Sequence, residues 1–238
     1  FCLGYTLIRI DLKKYGLNHL PYFNPSLLSR ILGISCFTMI QYFISMATWF
    51  VFFMAVERLG QRELAVANII RSIYVVLLIP VQALSTSANS LVSNLIGSGG
   101  IDNVMKLMNR IAGFSFLIAI GCVCVMAIFP EAFLAIYTND GALISESVPS
   151  VYMIGVAILV ASPSNIYFNG LSGTRNTRAA LFLETGTLVV YAIYIFVIGM
   201  WMKAPVYVCF STEVLYYGLM FLLSVIYLKK AKWQNKKI

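Results

Sequence analysis

An all-α, polytopic membrane bundle of six transmembrane helices is the fold class this sequence predicts, and three observations predict it. Of 238 residues, 60% are apolar and 11% charged, with a mean hydropathy of +0.85; soluble domains run at about half apolar and about a quarter charged. A water-soluble core of this size does not hide so much apolar surface, and a disordered chain would not carry it. The apolar residues also fall into six long blocks almost free of charge, each near the roughly 20 residues that cross a bilayer as a helix. Charges gather in short runs between the blocks. A β-barrel would show alternating segments of about ten residues instead, and none is present.

The elements follow in order. Segment 1–30 is the least membrane-like, with Asp11, Lys13, Lys14, His19, Pro21 and Pro25. It reads as a cytoplasmic connector with an amphipathic portion on the membrane surface. Its first eight residues, FCLGYTLI, read as the end of an earlier apolar segment, so the chain is expected to be a piece of a longer protein. The first span is 31–56. The second covers 72–101 and enters the membrane earlier, near Leu64, carrying Arg71 with it. The third is 111–130, and the fourth lies within 147–174. The fifth, 179–202, is interrupted by Glu184, and the sixth, 204–228, by Glu213. A six-helix lobe over 31–228 is thus expected between the connector 1–30 and a basic tail, 229–238.

Lysine and arginine in the short loops set the orientation. Thirteen lie on the side of the termini, and three, Arg58, Arg62 and Lys203, on the other. Both ends of the segment are therefore expected in the cytoplasm, and the loop 131–146, which has no basic residue, outside. The net charge of +8 is juxtamembrane, so the partner it implies is a lipid bilayer and not nucleic acid. The five cysteines sit in apolar stretches and are odd in number, without a C-x-x-C pair. Neither a disulfide framework nor a zinc site is indicated.

Polar residues inside the spans carry the functional signal, because they are costly in lipid and turn inward. Gln41, Ser45 and Thr48 share one helical face. So do Gln82, Ser85, Asn89 and Ser93; Ser162, Asn165, Asn169 and Ser172; Glu184, Thr187, Tyr191 and Tyr194; and Glu213, Tyr217 and Ser224. Stripes on five of six helices predict a bundle around a wetted cavity. Gln41, Asn89, Asn165 and Asn169 are candidate ligands of a substrate or ion, with interhelical hydrogen bonding as the alternative. Arg71 either snorkels outward or pairs with an acid. Glu184 stands about 9 Å past Arg178, so it either lines the cavity or reaches the cytoplasmic interface. Glu213, about 15 Å past Lys203, lies near mid-membrane. It is the first choice for coupling or cation binding. Enzyme signatures are missing: His19 is the single histidine, and there is no P-loop. No cofactor is expected beyond a coupling ion.

Five stretches then carry a resemblance. The segment VERLGQRELAVANIIRSIYVVLLIPVQALSTSANSLVSNLIGSG (56–99) resembles the seventh and eighth helices of the multidrug and toxic compound extrusion (MATE) transporters. IYTNDGALISES (136–147) is similar to that family's external loop before the tenth helix. GLSGTRNTRAALFLE (170–184) is similar to its cytoplasmic loop between the tenth and eleventh. STEVLYYG (211–218) and YLKKAKWQNKKI (227–238) resemble the close of bacterial members. The resemblance implies a secondary antiporter of twelve helices in two lobes, exporting cationic or amphipathic compounds in exchange for Na⁺ or H⁺. This chain would be its carboxyl-terminal lobe, facing an amino-terminal six-helix lobe of the same protein across a central cavity in a bacterial inner membrane.

Two departures matter. Many members carry a cation-binding Glu in the first helix of this lobe, where this chain has Ser45. Some carry an Asp in the tenth helix, where it reads Ser162-Pro163-Ser164. Glu184 and Glu213 are left as the membrane acids. Two rival functions rank lower. A lipid-linked oligosaccharide flippase of the same superfamily would line its cavity with Arg and Lys, and Arg71 alone is available. A membrane-embedded lipid-modifying enzyme would need clustered acids or histidines at one interface, which the sequence lacks.

Overall fold

The computed structural model describes residues 24–174 and 176–230. Most of the expected connector (1–23), Arg175 and the tail from 231 onward lie outside the described residues. The chain divides into two compact units, Phe1–Cys36 and Phe37–Ile238. The described part of the first is the opening of helix α1.

All regular structure in the described residues is helical, and six helices are long and apolar enough to cross a membrane. They are α1 (Pro25–Glu57), α2 (Gln61–Gly97), α3 (Val104–Ile128), α5 (Gly141–Gly173), α6 (Thr177–Ile195) and α8 (Ser211–Lys230). Two short helices complete the set, α4 (Pro130–Ala135) and α7 (Val206–Cys209). The six-span bundle is as the hydropathy predicts, but the helices overrun the uncharged blocks. Helix α2 starts at Gln61, and α3 takes in Lys106 and Arg110. A charge count marks the hydrocarbon boundary, whereas helical hydrogen bonding continues into the headgroup layer. The expected external loop 131–146 likewise holds most of α4 and the start of α5.

Helix starts and stops have local causes. Asn24 Oδ1 accepts from the amides of Ser26 and Leu27, capping α1. Asp140 caps α5 in the same way, accepting from the amides of Ala142 and Leu143. Gly60, between α1 and α2, has φ +148, a conformation that side chains rarely adopt. Pro80 in α2 and Pro163 in α5 sit inside continuous helices, where each removes an N–H donor. Helix α6 ends by widening into a π turn, Phe196–Trp201, where Gly199 packs against Ala55 of α1.

Helix α5 is the hub of the second unit, touching α2, α3, α4, α6, α7 and α8. It can do so because its surface is small. Gly170 lies on the Met108 side chain and Gly155 on Met126 and Val123. Ser162 hydrogen-bonds Ser115 of α3 at 2.8 Å, and the Gly173 carbonyl accepts from Ser93 of α2 at 2.9 Å. Small residues let helix backbones approach closely where no water is available to drive association. Two large apolar clusters result, besides a small one of Ala88, Ala112 and Ile166. One holds Phe52, Ile70, Ile154, Ile158, Ile195 and Phe210, the other Val92, Met108, Leu171, Met220 and Leu228. Tyr216 packs against both. Large apolar side chains also cover the outside, among them Phe43 and Met46 of α1, Leu117 of α3 and Phe182 of α6. That is the pattern of a surface that meets lipid.

The approach of backbone to backbone at Gly173 is testable. A Cβ on Gly173 would stand 2.6 Å from the Asn89 carbonyl oxygen, which is backbone and cannot swing aside. Gly173→Ala should destabilise the α2–α5 contact by about 1–3 kcal/mol, read as a lower thermal-unfolding midpoint in detergent. Gly218→Ala, with nothing within 4 Å of its new methyl, should match the parent.

Candidate functional site

Both membrane acids are buried in the lobe. Glu213 is 3% exposed and Glu184 6%. Glu213 stands in the first turn of α8, which the break at Phe210 turns into the lobe. Both of its oxygens are taken by phenols from other helices. The Tyr74 hydroxyl of α2 donates to Oε2 at 3.0 Å, and the Tyr191 hydroxyl of α6 donates to Oε1 at 3.0 Å. Three helices therefore meet on one carboxyl group. A buried tyrosine must find a partner for its hydroxyl, and here two of them share one acceptor.

Glu184 is held differently. Its Oε1 accepts a long hydrogen bond, 3.4 Å, from the Tyr216 hydroxyl of α8. The side-chain amide of Gln41 in α1 faces the same carboxyl, yet Oε2 completes no hydrogen bond. The two acids are joined by aromatic packing. Tyr216 stands edge-on to Tyr191, with centroids 6.1 Å apart, and to Tyr217, with centroids 4.9 Å apart. Tyr217 in turn faces Glu213, Tyr74 and Asn165. The result is a layer of two buried carboxyls, four phenols and two amides contributed by α1, α2, α5, α6 and α8, in which Gln41, Asn165, Tyr216 and Tyr217 are half-buried. Neither acid has a basic partner among the described residues. The ion pair that the described residues form is Arg62–Glu146, 2.7 Å, at the other end of α2 and α5 and half exposed.

The remaining predicted residues are placed as follows. Gln41 joins Glu184. Asn165 faces Tyr217, but its amide also donates to the Ala161 carbonyl of its own helix. Asn169 donates back to the Asn165 carbonyl. Asn89 is half-buried, its backbone pressed against Gly173. Arg71 is exposed, and its guanidinium lies 5.1 Å from the Trp49 ring centre and 5.0 Å from that of Phe53. It finds aromatic faces and not an acid. Thr48 and Thr187 bond the carbonyls one turn back on their own helices, so they line the stripes without reaching across.

Tyr74 and Tyr216 are the functional side chains that periodicity did not single out. Their signal was chemical: a phenol in mid-span needs an acceptor, and two acids were the acceptors on offer.

What the arrangement can do follows from its charge. A carboxylate far from water and from any cation is expensive unless it is neutralised, so the surroundings of both acids favour a neutral carboxyl or a compensating cation. No group of three or more His, Cys, Asp or Glu side chains that would suit a metal ion occurs among the described residues.

No curated protein sequence matches the chain. The MatE family model matches residues 35–201. The matched stretch runs from early α1 to the end of the π turn after α6, and so includes Gln41, Tyr74, Glu184 and Tyr191, while Glu213 and Tyr216 lie beyond it. With more than two thirds of its length matched, and with six apolar helices packed as a membrane lobe, the chain belongs to the MatE family of membrane transporters.

Proposed function

We propose that this chain forms the carboxyl-terminal lobe of a MATE-type antiporter that exports cationic or amphipathic compounds, with the buried acids Glu184 and Glu213 forming the coupling site of the lobe. The observation that carries the reading is the pair of buried carboxyls that, among the described residues, have no basic partner in a membrane bundle. Structural acids are ordinarily paired; these are held by neutral groups, so their charge is free to be cancelled by a transported cation. Of the two coupling ions we take H⁺: the phenols that reach Glu213 present hydrogens to its oxygens and not lone pairs that would ligate a sodium ion. The work is transport and not catalysis, and the amino-terminal lobe of the full protein supplies the facing wall of the cavity. The polar, exposed face of α2, with Gln82, Thr86, Ser87 and Ser90, suits the wetted side of that cavity. The loop charges favour both ends of this segment in the cytoplasm, and likeness to bacterial members together with the basic tail favours a bacterial inner membrane.

Orientation is checked by single-cysteine labelling of a Cys-free full-length protein in intact cells. An impermeant maleimide should modify a cysteine at Asn139 from outside, and one at Asn176 only after permeabilisation. The reverse pattern overturns the assignment. Coupling is checked in proteoliposomes that contain the full-length protein. The double variant Glu184→Gln, Glu213→Gln should insert normally and lose efflux of a cationic dye driven by a pH gradient by about tenfold or more. Parental efflux with unchanged pH dependence would remove these acids from coupling.

A further inference from the structure

The two acids are not equivalent, and their surroundings divide the labour between them. Resting on the antiport reading, we infer that Glu184, with Gln41 and Tyr216 around it, is the proton-loading position of the lobe, and that Glu213 is an anchor that holds the tyrosine layer in place. Both oxygens of Glu213 are engaged, each at 3.0 Å and each by a different helix. Loading and unloading it requires α2 or α6 to let go. Glu184 has one long bond, 3.4 Å, and an Oε2 that is buried and unpartnered. An open oxygen in an apolar surround is a place where an arriving proton removes a charge without first breaking a contact.

Gln41 makes both states of Glu184 tenable. A side-chain amide is donor on one side and acceptor on the other. With Glu184 ionised, the Gln41 N–H groups face the carboxylate. With Glu184 protonated, a turn of the amide presents its carbonyl to the new O–H. The step balances simply. Hydronium gives its proton to Oε2, an O–H bond forms there as one breaks in hydronium, and a water molecule is left; unloading is the reverse. No oxidant, metal or second reactant is needed.

The groups facing Glu184 are few. From α8 come Tyr216 and, behind it, Tyr217 and Glu213; from α1 comes the uncharged Gln41. On α6 itself, Tyr191 stands two turns on. Arg178, about 9 Å back along the helix, is exposed and lies over the Phe37 ring at 5.2 Å. Counted along the chain, Glu184 stands six residues from the nearest charge on its amino-terminal side, Arg178, and Glu213 ten from Lys203. Neither Lys, Arg nor His pairs with it among the described residues.

The test compares single variants of the full-length protein in proteoliposomes, with infrared difference spectra across a pH jump and dye efflux as separate readouts. The parent should show the C=O band of a carboxyl that gains its proton. Glu184→Gln should lose that band together with the pH dependence of efflux. Glu213→Gln should keep the band while its thermal-unfolding midpoint falls. Tyr216→Phe, which leaves Glu213 untouched, should keep the band but move its pH midpoint. A band lost in Glu213→Gln and kept in Glu184→Gln overturns the assignment while leaving antiport by this acid pair intact. A midpoint unmoved in Tyr216→Phe also counts against it. Band and efflux unchanged in both Gln variants overturn the assignment and the antiport reading together.

Discussion

Everything in this lobe is arranged around the cost of placing carboxyl groups where water does not reach. An ionised acid in a membrane span is costly, about 2.5–3.5 kcal/mol at a helix centre on insertion scales, and this chain buries two, Glu184 within α6 and Glu213 in the first turn of α8. Glu213 recovers part of that cost through Tyr74 and Tyr191, since hydrogen bonds to a charged group contribute about 1.5–3 kcal/mol each. The same two bonds tie α2 and α6 to α8. A side chain that would otherwise weaken the bundle becomes the point at which three helices are held in register. Glu184 recovers less, because one oxygen is left open. The contrast between a satisfied acid and an unsatisfied one, within one aromatic layer, is the asymmetry on which the functional reading rests.

Such a layer needs close helix approach, and α5 provides it. Its glycines and serines meet α2 and α3 backbone to backbone or through short hydroxyl contacts. Long side chains at those positions would hold the helices apart and move Tyr74, on α2, out of reach of Glu213. Packing and chemistry are therefore one problem here. The small residues of α5 set the distances at which the phenols of α2, α6 and α8 operate.

The six spans were legible in the sequence because charge and hydropathy report directly on the bilayer. Their ends were not, because Lys106, Arg110 and Gln61 belong to helices that continue past the hydrocarbon. The acids at positions 184 and 213 stood out for the same energetic reason that makes them interesting. Their partners did not. Tyr74 and Tyr216 look, one residue at a time, like ordinary aromatic filling, and only the fold brings a residue of α2 to one 139 positions later. Helical periodicity named the polar faces correctly as faces, but it has no means of telling a hydroxyl that crosses to a neighbour, as Ser162 does, from one that folds back onto its own backbone, as Thr48 and Thr187 do. Arg71 shows the same gap, for its partners are rings and not a carboxylate.

Helix α2 has 37 residues, about 55 Å at the usual rise per residue, against a hydrocarbon layer of about 30 Å. A rod of that length must lean or protrude, and the hydrophobic mismatch between them ties its angle to bilayer thickness. Because Tyr74 rides on α2, the angle adopted in a thin or a thick membrane bears on the grip that α2 has on Glu213. On the proposed antiport reading, lipid acyl-chain length then bears on the buried acid from outside the protein, through the lean of a helix.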